Sequence, residues 1–274
     1  MKRTVISRLI LTTLLVLVAC DRERERRLVG PSAATGDLSP TANLDQCANG
    51  GVGSAPVACT TGGPGGAWVN GNLNASKAHY LEGQSVPYRL RMDNVATAGS
   101  HTVTIEWDVT KGGKHALDYL TSFDRTESSA DPCADVSGCS LAGPKSTYAI
   151  PVDANVTKGQ NGSDDAPAGP TGGDDIAQVP GVFTLFNGTI TSVSAYTTSG
   201  TLTGDASTRI TITFTATASS PVLAWGGHIA ARFDWGTGNS AIAIDGSPYH
   251  MALVDIDGKG GNQDHQLSSD AVIF

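Results

Sequence analysis

Two acidic residues, Glu106 and Asp108, occupy alternate positions in a stretch where apolar and polar residues alternate. In an extended strand such positions share one face, and their side chains lie roughly 6–7 Å apart. Carboxylate pairs at about this separation serve as acid and base in glycoside hydrolysis. Asp118 is a third candidate for the acid or base. These residues predict a glycan-acting hydrolase, against the alternative that they are ordinary solvent-facing residues of a strand.

A run of acidic residues and glycines near the carboxyl end favours a calcium site. Calcium takes about six to eight oxygen ligands, and a loop rich in Asp and Gly can curl around the ion. The candidate ligands are Asp255, Asp257, Asn262 and Asp264. The run resembles the first half of an EF-hand loop, but Lys259 stands where such a loop supplies an oxygen. The alternative is a simple turn after a strand, because Asp and Gly are both favoured by the backbone conformations of turns.

A third candidate site combines aromatic and polar residues between positions 225 and 235. Trp225 and Trp235 could stack on sugar rings, while His228 and Asp234 could bond to sugar hydroxyls. Large aromatic residues in a β-sandwich also pack in the core, which is the alternative. The sequence contains no H-E-x-x-H, G-x-S-x-G, P-loop or Rossmann glycine motif, so those mechanisms have no support.

The amino terminus predicts export and attachment to a membrane. Lys2, Arg3 and Arg8 precede the apolar stretch 9–18, which is shorter than the roughly 20 residues of a spanning helix. The stretch closes on Leu17-Val18-Ala19-Cys20, which resembles the lipobox of bacterial lipoproteins. The resemblance implies cleavage before Cys20, a diacylglycerol on its thiol and acylation of the new amino end. Two or more acyl chains hold a protein stably at a bilayer.

The charge balance excludes one class of partner. The chain has 18 Lys+Arg and 26 Asp+Glu, and residues 1–19 hold three of the basic residues and none of the acidic ones. Residues 20–274 therefore carry a formal charge of −11. Binding to nucleic acid depends on Lys and Arg that neutralise phosphates, so we expect no nucleic-acid partner.

The cysteines fit an exported protein. Of five cysteines, four remain when Cys20 is lipidated, and four can pair completely. The favoured pairs are the local ones, Cys47 with Cys59 and Cys133 with Cys139, although the sequence allows three connectivities. Disulfides persist in oxidising compartments outside the cytoplasm.

The chain divides into three segments. Residues 1–19 form the predicted signal peptide, and residues 20–46 the lipidated cysteine and a flexible tether. The tether holds an alternating charge run and few large apolar residues, so it cannot bury enough surface to offset its ordering entropy. Residues 47–274 form one folded domain.

Period-two alternation predicts that this domain is all-β. Residues 101–109 and 209–216 place apolar side chains on one face and mostly threonine or acidic side chains on the other, as half-buried antiparallel strands do. Pro87 in a third such stretch indicates an edge strand or a strand start, and Asn187-Gly188 a tight hairpin turn. Further strands are expected at 222–229 and 241–244. The fold class is a single large antiparallel β-sandwich, jelly-roll or immunoglobulin-like, with long Gly/Asp-rich loops such as 154–180.

Segments such as Trp68–Asn74 and Trp225–His228 resemble an uncharacterised module of secreted bacterial surface proteins, which implies an extracellular sandwich over residues 60–274. The leading hypothesis is a non-enzymatic protein, lipid-anchored at the cell surface or periplasmic face, that binds a glycan or a surface protein or has a structural role. The alternatives are the glycan hydrolase and a calcium-stabilised structural module.

Overall fold

The computed structural model describes residues 39–156, 177–246 and 248–273, apart from the side chains of residues 260 and 262. The predicted signal peptide, Cys20 and most of the predicted loop 154–180 lie outside these residues. The described part is built almost entirely from strands, in this order: β1 Thr41–Cys47, β2 Trp68–Val69, β3 Tyr80–Leu81, β4 Ser85–Asp93, β5 His101–Lys111, β6 Lys114–His115, β7 Leu117–Thr121, β8 Lys145–Ala149, β9 Val182–Phe186, β10 Gly188–Val193, β11 Thr197–Gly200, β12 Ala206–Ala216, β13 Val222–Ile229, β14 Tyr249–Ile256, β15 Lys259–Leu267 and β16 Val272–Ile273.

The strands form two antiparallel sheets of seven strands each. Sheet A has the order β2-β1-β4-β13-β9-β8, with β7 also paired to β13. Sheet B has the order β10-β12-β5-β14-β15, with β11 paired to β12 and β6 to β5. Strands β3 and β16 form a small parallel pair. The predicted all-β sandwich is confirmed.

One hydrophobic core lies between the two sheets. Tyr88 and Trp225 from sheet A and Trp107 and Phe214 from sheet B belong to the same buried cluster. The alternation read from the sequence produces this core, because residues at every second position of β5 and β12 point inward.

The two sheets differ in what covers their outer faces. Every residue of β13 is buried, because the segment between β7 and β8 packs a second apolar cluster against the outside of sheet A. The outer face of sheet B shows strict alternation instead, with half-buried or exposed residues at every second position of β12. Within the described part of the chain, the outer face of sheet B is therefore the open one.

Side-chain hydrogen bonds close both edges of the sandwich. At one edge, Gln263 of β15 accepts from the amide of Leu44 in β1 at 2.7 Å, and the His265 imidazole lies 2.6 Å from the Leu44 carbonyl. At the other edge, the Ser146 hydroxyl of β8 accepts from the Ile190 amide of β10 at 2.9 Å.

Four sequence predictions need correction. Strand β1 starts at Thr41, so the tether predicted to extend to residue 46 ends sooner, because Leu44 to Cys47 are buried in sheet A. Residues 241–243 form a 3-10 turn rather than a strand. Of the two alternatives for Pro87, the strand start is confirmed, since β4 begins at Ser85, and the edge strand is wrong, since β4 lies between β1 and β13.

The fourth correction concerns Asn187-Gly188. This turn connects β9 in sheet A to β10 in sheet B and is not a hairpin. Asn187 adopts a positive φ of 58°. A Cβ on Gly188 would lie 2.7 Å from the Thr215 carbonyl oxygen, so close backbone approach at the crossover requires glycine.

Both favoured disulfides are present, Cys47–Cys59 and Cys133–Cys139, with Cα–Cα distances of 5.8 and 5.1 Å. Among the described residues, no helix has the length and apolar character needed to cross a membrane.

Candidate functional site

A depression of about 150 Å³ opens on the outer face of sheet B. It is lined by residues from three neighbouring strands of the sheet, β5, β14 and β15. These residues are Glu106, Trp107, Asp108, Lys111, His250, Ala252 and Asp264. The sequence predicted Glu106 and Asp108 as a pair, and the sheet brings His250 and Asp264 to the same place.

Strand register explains why the depression forms here. Arg209 of β12 is paired with Glu106 of β5, Glu106 with Ala252 of β14, and Ala252 with Asp264 of β15. Facing side chains of paired residues lie side by side on one face of a sheet. Because Ala252 has the smallest side chain in this row, it forms a floor between two longer acidic side chains.

Glu106 is held by Arg209, whose Nε donates to Glu106 Oε2. This pair sits at the open rim, since half of the Arg209 side chain is exposed.

Asp108 is almost fully buried and has partners at both oxygens. Its Oδ1 accepts from the Ser207 hydroxyl at 2.8 Å, and its Oδ2 accepts from the His250 amide at 3.1 Å. The Lys111 ammonium lies 3.2 Å from the same Oδ2. Asp108 is thereby fixed in place by two neighbouring strands and by the end of its own.

His250 and Asp264 form the opposite wall. His250 Nδ1 lies 2.6 Å from Asp264 Oδ1 and 2.7 Å from Oδ2. Asp264 is half exposed, so its carboxylate can meet a ligand without large desolvation.

Asp118, the third predicted acid or base, is not part of the depression. It lies in β7 of sheet A with 1% of its surface exposed. Its Oδ1 lies 2.6 Å from His228 Nδ1, and its Oδ2 accepts from Trp235 Nε1 at 2.9 Å. The structure therefore brings Glu106 and Asp108 together but leaves Asp118 in a separate buried network.

The prediction that Trp225 and Trp235 belong to a sugar-binding face is wrong, because both side chains are buried. Trp225 and Trp235 are 0% and 1% exposed, and His228 is 6% exposed. They pack inside the domain, where the Tyr119 ring stacks on His228 with centroids 4.2 Å apart. Buried rings cannot stack on a sugar in solvent.

Burial and charge set the protonation of this inner network. Burial lowers the pKa of His115 to about 4, and Asp118 only partly opposes the effect. Burial also acts to lower the pKa of His228, but the adjacent Asp118 carboxylate outweighs it and the pKa is raised. Burial raises the pKa of Asp234, and the charge of Asp118 adds to the effect.

The cavity beside this network is too small for a ligand of metabolite size. It measures about 10 Å³, which is room for about one water molecule. His115 and Asp153 both line it and are both 2% exposed. The inner network is therefore a structural element of the core, and the depression on sheet B is the candidate site.

The predicted calcium ligands have separate roles in the β14–β15 hairpin. Asp257 and Gly258 are its turn, with positive φ angles of 54° and 70°. Asp255 Oδ1 accepts from the Gly258 amide at 3.1 Å. The side chain of Asn262 lies outside the described part, and Asp264 faces His250.

Asp257 also bonds outside its hairpin, since its carboxylate accepts from the Thr102 amide at 2.8 Å and lies 2.8 Å from His101 Nδ1. Among the described residues, no group of three or more His, Cys, Asp or Glu side chains is arranged to hold a metal ion. Asp257 and Gly258 form a tight turn between β14 and β15.

His250 and Arg209 were not predicted as site residues from the sequence. His250 and Ala252 do alternate with buried residues in β14, which marks them as outward-facing. No property of the sequence shows that β14 pairs with β5, and that pairing places His250 beside Asp108.

The fold and site define an all-β sandwich with two disulfides and a charged, open depression on one sheet. No protein-family model, curated protein or solved structure matches the chain.

Proposed function

We propose that this protein is exported, anchored to a bacterial membrane by lipid at Cys20, and binds a carbohydrate in the depression over Ala252 without transforming it. The amino-terminal sequence supports export and lipidation. The two disulfides fit the oxidising environment outside the cytoplasm.

The observation that carries the binding proposal is the arrangement of fixed, charged hydrogen-bonding groups around a small floor. Glu106, Asp264 and His250 face the depression, and each is oriented by a bond to a neighbour. Sugars present many hydroxyl groups that both donate and accept, and hydrogen bonds to charged partners are stronger than those between neutral groups. A ligand whose hydroxyls bridge these side chains meets donors and acceptors that need little reordering.

The same contacts argue against the hydrolase. A glycosidase needs one carboxyl group that carries a proton and can deliver it to the leaving oxygen. Asp108 is 8% exposed, and its two oxygens accept from the Ser207 hydroxyl and the His250 amide, so it has no free oxygen to present to a bound glycan. Glu106 alone does not supply the pair of carboxyl groups that the reaction needs.

The binding proposal is tested by calorimetric titration of the full-length protein in detergent with soluble oligosaccharides selected on a glycan array. Ala252→Trp fills the depression and should abolish binding. Ala149→Trp makes the same change at an exposed strand position of sheet A and should leave binding intact. Equal binding by both variants would place the ligand elsewhere.

The hydrolase alternative is tested on the same glycans by measuring release of reducing ends. Turnover by the unchanged protein that is lost in both Glu106→Gln and Asp108→Asn would establish an enzyme. The binding proposal expects no turnover.

The anchor is tested by mass spectrometry of the exported protein and by fractionation of Cys20→Ser. We expect a diacylglycerol on the amino-terminal cysteine, and release of the variant from the membrane. An unmodified thiol on the exported chain would overturn the anchor.

A further inference from the structure

The depression continues into rows of uncharged threonines on the same face of sheet B. Thr104 of β5 is paired with Thr211 of β12, and their hydroxyl oxygens lie 3.0 Å apart. The next outward pair is Thr102 with Thr213. Residues two apart along a strand are separated by about 6.8 Å, so these rows extend the Glu106–Arg209 row by about 14 Å.

The threonine rows widen towards strand β10. Thr189 is paired with Thr215, and Thr191 donates to the Thr213 carbonyl at 3.1 Å. Thr189 and Thr191 are exposed. The outward positions of β12 from Thr211 to Thr215 carry hydroxyl and methyl groups and no ionisable side chain. On the other side of these rows, Asp255 of β14 is paired with Thr104 and adds a further carboxylate to the face.

The charged end of the face has an excess of negative groups. It holds four carboxylates, those of Glu106, Asp108, Asp205 and Asp264. The basic groups beside them are Lys111, Arg209 and the imidazole of His250. A ligand that carries carboxylate, sulfate or phosphate groups would be repelled here, because like charges in close contact disfavour binding.

We propose that the ligand is a neutral, linear polysaccharide bound along its length, an inference that rests on the proposed glycan-binding function. One sugar ring occupies the depression over Ala252, and the following rings lie along β5 and β12 on the threonine rows. Affinity therefore increases with the number of neutral sugar units and is lost when the units are uronic acids.

The test titrates the full-length protein in detergent with neutral hexasaccharides (cellohexaose, xylohexaose and mannohexaose), their monosaccharides, and a galacturonic acid hexamer. We expect a neutral hexasaccharide to bind at least about tenfold more tightly than its monosaccharide, a difference of about 1.4 kcal/mol. The galacturonic acid hexamer should bind at least about tenfold more weakly than that neutral hexasaccharide.

Two variants separate this proposal from the function on which it rests. Thr213→Trp covers the threonine rows and should remove the advantage of the hexasaccharide while leaving monosaccharide affinity unchanged. Ala252→Trp should abolish binding of the monosaccharide and of the hexasaccharide, and Ala149→Trp should leave both affinities unchanged. Thermal melting checks that each variant is folded.

Equal affinity for monosaccharide and hexasaccharide would overturn the extended mode of binding and leave the binding function in place. Equal or tighter binding of the galacturonic acid hexamer would overturn the preference for neutral chains. If no saccharide binds, the proposed function itself fails, and this inference with it.

Discussion

Arg89 and Asp45 form an ion pair at 2.8 Å in which both side chains are 1% exposed. The pair lies on the outer side of sheet A, where the Arg89 guanidinium lies over the Trp68 ring at 4.9 Å. Arg89 Nη1 also donates to the carbonyls of Pro132 and Ala134. One side chain thus ties the segment that covers sheet A to the strands beneath it.

Removal of this side chain should be costly. Arg89→Met leaves the Asp45 carboxylate buried with Arg91 as its remaining cation, and breaking a buried pair typically costs about 3–5 kcal/mol. Because Arg91 remains, we expect a loss near 3 kcal/mol in urea unfolding, the lower end of about 3–5.

Arg91→Met is the matched control. It removes the partner that is about a third exposed, and pairs near the surface contribute about 0–1 kcal/mol. Similar losses for the two variants would show that the burial of Arg89 does not contribute to stability.

The two disulfides should stabilise the domain by closing short loops. The Cys47–Cys59 bridge spans 12 residues and the Cys133–Cys139 bridge spans six. The chain-entropy model gives about 3 and about 2 kcal/mol for loops of these lengths. Urea unfolding of Cys47→Ser/Cys59→Ser and Cys133→Ser/Cys139→Ser should show the larger loss in the first pair. A melting temperature unaffected by reducing agent would contradict both.

Gly226 in β13 should not tolerate a side chain. A Cβ at this position would lie 2.6 Å from the Ser122 carbonyl oxygen, which is backbone and cannot move aside cheaply. Gly226→Ala is therefore expected to lose about 1–3 kcal/mol of stability, as overpacked cores do. Gly238→Ala meets no atom within 4 Å and should stay within about 0.5 kcal/mol of the parent. Thermal melting of the two variants gives the comparison.

His115 should make the fold sensitive to acid. Its pKa is lowered from 6.5 to about 4 by burial. Above pH 6.5 this imidazole is neutral in both the folded and the unfolded state. Between pH 6.5 and about 4 it is protonated in the unfolded state but stays neutral in the folded state. Stability is therefore lost as the pH falls from 6.5 to about 4, by up to about 3 kcal/mol at 1.36 kcal/mol per pKa unit.

Urea unfolding of the parent and of His115→Gln at pH 7 and pH 4.5 measures this loss. The variant should lose less stability than the parent between the two values. His228 acts in the opposite sense, since its raised pKa gives stability that is complete in acid and lost as the pH rises. Identical losses in parent and variant would assign the acid sensitivity to other groups.

Much of the fold was predictable from local pattern. The alternation in β5 and β12 specifies half-buried strands because inward positions need apolar side chains and outward positions do not. The apolar run of β13 indicates a strand covered on both faces, and that strand lies in the middle of sheet A. Of the three connectivities that the sequence allows, the favoured local pairs are the ones present.

The misses share one physical cause, which is that pairing between distant strands is not a local property. Asn187-Gly188 has the letters of a hairpin, but its two strands belong to different sheets. For Trp225 and Trp235 the sequence left both a binding face and the core open, because ring chemistry is the same in both places. Only packing shows that both are buried.

The candidate site was half predictable for the same reason. Glu106 and Asp108 share a face by strand geometry alone. His250 and Asp264 join them only through the register of β14 and β15, which neither sequence spacing nor residue type encodes.

The place of β1 in the sheet has a mechanical consequence. Six residue pairs join β1 to β4, and its far end is cross-linked through Cys47. Hydrogen bonds between antiparallel strands run across the strand axis. Tension applied at Ser39 along β1 would load these bonds together in shear instead of peeling them apart one by one. With the proposed anchor at Cys20, drag on the domain would enter through a strand whose hydrogen bonds share the load.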